Sequence, residues 1–71
     1  MVMLNDKQIR ELRMAMGLSV PEFADLLGVS AAAVYKWEKG TRHPDYAMLV
    51  ELSRFWEQAA ERGLFKKLVT A

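Results

Sequence analysis

Apolar residues recur at intervals of three and four along most of the chain, and strict alternation is scarce, so helices are the primary reading. Asn5 followed by Gln8 reads as a capping box and opens a first helix through about Met16. Ile9, Leu12 and Met16 face inward there, and Gly17 stops it. Ser19 followed by Glu22 is a second capping box, with Pro21 in the first turn, where the missing N–H costs nothing. That second helix reaches about Leu27 and buries Phe23, Ala24 and Leu27. Ser30 caps a third, from Ala31 to about Lys39, ended by Gly40. Val34 and Trp37 share its inward side with Ala33 nearby, and Ala31, Ala32, Tyr35 and Lys36 face the other way. After Thr41-Arg42-His43-Pro44, Asp45 caps a long fourth helix. Its broad apolar stripe is Met48, Leu49, Leu52, Phe55 or Trp56, Ala59 and Ala60. Gly63 interrupts it, and Leu64–Val69 is expected to add a short last turn of helix.

Length and composition narrow the class. Seventy-one residues hold one small domain, here 1–71, and their 52% hydrophobic content is enough for a core. No cysteine is present and His43 is the single histidine, which argues against a metal site, and no cofactor is expected. One loop histidine and no paired carboxylates also argue against an enzyme. No apolar run approaches a membrane span. The start at Met1–Leu4 lacks the basic and long apolar regions of a signal peptide, so a cytoplasmic location is the default expectation. Net charge is only +1, but its distribution says more. From Ser30 to Pro44 the charges are Lys36, Glu38, Lys39 and Arg42. If Glu38 is engaged internally, that stretch offers a positive surface.

The informative feature is a pair of short capped helices joined by a tight turn, read as four residues centred on Gly28-Val29. Helices so close in sequence must cross steeply, and Gly28 permits the backbone angle required. The small Ala24 allows the two to approach. Phe55 and Trp56 point about 100° apart on one helix, so one of them is expected on a second apolar surface. Leu64, Phe65, Leu68 or Val69 would either fold back over that surface or share it in a two-fold dimer.

The run Leu18-Ser19, Phe23-Ala24, Leu27-Gly28-Val29-Ser30, Val34, Trp37-Glu38, Gly40, Arg42 and Pro44 resembles the phage repressor and Cro-type (XRE, Cro/cI-like) helix-turn-helix family. The similarity extends over roughly residues 5 to 60, with the motif at 19–38. It implies an all-α, five-helix, lambda-repressor-like domain that binds double-stranded DNA as a homodimer. The third helix would enter the major groove, most often as part of a repressor. By position, the resemblance assigns Ala31, Ala32, Tyr35 and Lys36 to base edges. Ser30, Lys39, Arg42 and the N-terminal amides of the second helix would meet phosphates. Arg13 and Glu38 match an internal salt bridge between the first and third helices. Where the family commonly has a phosphate-binding Gln, this chain has Val20. Direct readout then falls mainly on Lys36, helped by Tyr35, with the alanines limited to a thymine methyl. Small domains of this family also act as antitoxins, so a toxin bound at the apolar 45–70 segment is the alternative partner.

Overall fold

In a computed structural model, which describes residues 1–66, four polar side chains fix where the helices begin. Asn5 and Gln8 exchange side-chain and backbone bonds of 2.8 and 3.0 Å, opening α1 at Asp6–Ala15. Ser19 and Glu22 do the same for α2, Val20–Leu27. Ser30 Oγ accepts from the Ala33 amide to start α3, Ala31–Lys39, and Asp45 accepts from the Met48 amide to start α4, Tyr46–Glu61. Each such cap is worth about 1 kcal/mol, because it satisfies an amide that the helix leaves orphaned.

Two of the stops need glycine. Gly28 closes α2 at φ +73° and Gly40 closes α3 at φ +75°, both left-handed conformations that a side chain disfavours. At Gly40 a Cβ would also stand 3.3 Å from the Asp6 carboxylate, so space and backbone angle select the same residue. The α2–α3 connection is Gly28-Val29-Ser30, three residues where four were expected. Val29 donates its amide back to Ala24 O and lies half-buried beneath the turn.

The core gathers around Phe23, Ile9, Leu12, Leu52 and Val34, all essentially inaccessible, with Trp37, Val20, Leu4 and Ala24 at its margin. Burying a large apolar side chain stabilises by about 1.5–3 kcal/mol, so this cluster outweighs any single surface contact. α1 packs on α3 and α4, while α2 packs on α3, which leaves one side of α3 uncovered.

Several expectations need correction. Four helices are present among the described residues, where the resemblance implied five. Gly63, at φ +70°, ends α4, Leu64 and Phe65 continue as turn, and Lys66 is helical. Leu68 and Val69 lie outside the described residues. Ala60, assigned to the apolar stripe, is exposed. Met16 and Leu27 are half-buried at the margin of the core, not within it. Phe55 and Trp56 both pack half-buried against the core, and Phe65 covers Trp56 with ring centroids 4.3 Å apart. Folding back, one of the two expected arrangements, thus accounts for Phe65 and Trp56. The N-terminal segment is also more than a leader to α1. Leu4 enters the core, and the Val2 amide donates to Ser53 Oγ, a buried hydroxyl on α4, at 2.8 Å.

Candidate nucleic-acid interface

The inward side of α3 is anchored by Val34 and Trp37, and everything that the helix offers outward follows from their placement. At 100° per residue, Ala32, Lys36 and Lys39 fall opposite Val34, with Tyr35 at the edge of that arc. All four are exposed. Ala31 is not among them. Three residues before Val34, it lies only about 60° from it around the helix and packs half-buried against the core. Of the four positions expected to face bases, the helix therefore presents Ala32, Tyr35 and Lys36.

Glu38 is withdrawn from this surface. Arg13 Nε and Nη2 donate to its two carboxylate oxygens at 2.8 and 3.0 Å, while Nη1 donates to Leu18 O at 3.0 Å. Both side chains are largely buried. The hydrogen bond to Glu38 holds the Arg13 guanidinium above its ordinary pKa against the opposing effect of burial, and the charges of Glu38 and Tyr35 act in the same direction. One clamp thus ties α1, the α1–α2 connection and α3 together. It also cancels the one negative charge within α3.

Lys36, Lys39 and Arg42 remain as cations on the open side. Arg42 belongs to the loop, yet it is fixed to α3 by an unusual convergence. The Lys36 carbonyl accepts from the Thr41 amide at 3.0 Å, the Arg42 amide at 3.3 Å and Thr41 Oγ1 at 3.2 Å. Arg42 is therefore held in register with the last turn of α3. Between the helix and this loop runs an open groove of about 390 Å³, walled by Ala32 and Lys36 on one side and by Arg42 and His43 on the other. Ser30, Ala33, Trp37, Pro44, Asp45 and Met48 also line it. The Ser30 hydroxyl oxygen is used as a cap, but its proton is free to be donated.

The N-terminus of α2 looks different from the phosphate site that the resemblance implied. Val20 is buried, Pro21 has no amide proton, and the Glu22 amide is taken by Ser19 Oγ. The Glu22 carboxylate accepts from the Ser19 amide, and these bonds to Ser19 hold it below the usual carboxylate range. The exposed Glu22 carboxylate therefore adds a negative charge beside the first turn of α2. On α3 and the following loop, by contrast, the exposed charges from Ser30 to Pro44 are Lys36, Lys39 and Arg42.

Comparison with known proteins identifies the family of the domain. The helix-turn-helix family matches residues 9–55, most of the chain. Three archaeal proteins, each bearing the name of an HTH-type transcriptional regulatory protein, are similar. The relative from Methanocaldococcus jannaschii is 32% identical over 89% of this chain and 20% of its own length. That from Archaeoglobus fulgidus is 50% identical over 56% of this chain and 13% of its own. The third, from Thermococcus kodakarensis, is 34% identical over 82% and 18%. The chain thus spans about a fifth or less of the length of the relatives it matches. No solved structure matches it. Among the described residues, no helix is long and apolar enough to cross a membrane. The chain belongs to the XRE-type helix-turn-helix family.

Proposed function

We propose that this domain binds double-stranded DNA with a sequence preference and regulates transcription without catalysing a reaction, as a repressor that occupies an operator. The observation that carries the reading is the open side of α3, where Ala32, Tyr35 and Lys36 face solvent beside Lys39 and Arg42 while the adjacent Glu38 is neutralised by Arg13. In this reading α3 lies in the major groove. Lys36 and Tyr35 face base edges, and Ser30, Lys39 and Arg42 hold phosphates on either side. Ala31 supports the helix from below and does not read bases.

The domain measures 30 × 24 × 20 Å. One helical turn of duplex is about 34 Å, so two copies placed one turn apart on one face fit without overlap. A homodimer on paired half-sites is the assembly proposed.

Selection of bound duplexes from a random pool, followed by salt titration of Lys36→Ala and Arg42→Ala, tests the assignment. Arg42→Ala is expected to weaken every duplex and to lower the slope of log affinity against log salt by about one. Lys36→Ala is expected to flatten the base preference as well. Indifference of the purified protein to duplex DNA at low ionic strength would contradict the reading.

A further inference from the structure

Lys36 and Ala32 stand one helical turn apart and form the same wall of the groove beside α3, so whatever meets one is near the other. Resting on the DNA-binding reading above, we infer that the preferred half-site pairs a guanine under Lys36 with a pyrimidine carrying a C5 methyl under Ala32. The two lie one to two base pairs apart.

The argument is one of elimination on an exposed surface. Adenine is read best by a side-chain amide, and cytosine by a carboxylate that accepts from its N4 amino group. Neither extends from the open side of α3: its exposed residues are Ala32, Tyr35, Lys36 and Lys39, and the carboxylate of Glu38 is held by Arg13. Asp45, which also lines the groove, belongs to α4 and caps it by accepting from the Met48 amide. Lys36 carries only donors, and guanine presents two acceptors, O6 and N7, on its major-groove edge. Ala32 offers a methyl group and nothing else. Its matching base feature is the C5 methyl of thymine, or the same group on 5-methylcytosine. Because Ala31 and Ala33 both pack half-buried against the core, Ala32 is the one fully exposed alanine of α3. A helical turn advances about 5.4 Å and a base pair about 3.4 Å, which sets the spacing of the two contacts. Tyr35 lies about 100° around the helix from Lys36, outside the groove that Lys36 and Ala32 line.

Base analogues in a duplex recovered by selection separate the two contacts. Exchanging the thymine opposite Ala32 for uracil removes one methyl and is expected to weaken binding about fourfold, from about 0.8 kcal/mol per buried methyl. At the same position, 5-methylcytosine is expected to bind about fourfold tighter than cytosine. Ala32→Gly, with folding checked by circular dichroism, should abolish both differences. Replacing the guanine by another base should cost at least about fivefold. Lys36→Gln should move the preference toward adenine, since an amide matches adenine N6 and N7. Salt-dependent binding without any methyl effect, or a Lys36→Gln protein that keeps the guanine preference, would overturn this inference and leave the DNA reading standing. Absence of salt-dependent duplex binding altogether would overturn both.

Discussion

The α2–α3 unit and the α4 unit are held by contacts of different range. In α2 and α3, a serine cap opens each helix and a left-handed glycine closes it within about ten residues of sequence. The Arg13–Glu38 clamp is the long-range tie added to that local frame. α4 opens on a local cap too, but its position depends on distant partners. Ser53 is bonded to Val2 at the far end of the chain, and Trp56 is covered by Phe65 beyond the helix. A surface that must meet a duplex in fixed register gains from short-range determinants, because few elements can shift it. The α4 side can rely on long-range packing, since in this account it supports the reading helix and does not touch bases.

Breaking the anchor of α3 should have the largest effect. Trp37→Ala empties a buried aromatic site and is expected to cost about 3–5 kcal/mol in chemical denaturation. In a domain this small, that approaches the whole stability. Next comes the clamp. Glu38→Gln leaves the largely buried Arg13 without its charged acceptor, with an expected loss of about 2–3 kcal/mol. Arg13→Met combined with Glu38→Leu should recover part of that loss, because an apolar pair avoids the unpaired charge.

Two serines sharpen the contrast between the units. Ser30→Ala and Ser53→Ala should each cost about 1 kcal/mol, one through a lost cap and one through a lost buried hydrogen bond. Their hydrogen-exchange signatures should differ. Loss of Ser30 is expected to speed exchange in the first turn of α3, whereas loss of Ser53 should speed it across α1 and α4 together. The smallest effect belongs to Glu22. Its carboxyl is held low by Ser19, so its contribution is complete above the ordinary carboxylate range and fades as the pH falls through its lowered value. Glu22→Gln keeps the capping pattern and should flatten only the acid limb of the stability curve.

What was legible in the sequence divides along the same line. The caps at Asn5, Ser19, Ser30 and Asp45 and the stops at Gly28 and Gly40 are local chemistry, and helix ends fall within a residue of where those signals place them. Tertiary contacts were harder to read. Nothing near Ser53 in sequence announces Val2 as its partner, and the gathering of Thr41 and Arg42 donors on the Lys36 carbonyl arises only once the chain turns at Gly40. Ala31 sits at the first turn of α3, about 60° from Val34, and that angle gives it a half-buried place that its adjacency to the exposed Ala32 does not suggest. At the α2 N-terminus the resemblance assigns amides to phosphate, and the equally legible capping pattern of Ser19 and Glu22 adds a carboxylate to the same turn.

The central claim is that the open side of α3 and the following loop meet the duplex. Amide shift mapping by NMR, with a short duplex titrated into the labelled protein at low salt, tests this most directly. The account predicts that the largest changes cluster on Ser30, Ala32, Tyr35, Lys36, Lys39 and Arg42, while Ser53 and its neighbours on α4 stay in place. Changes centred on the outer side of α4, with α3 silent, would contradict it.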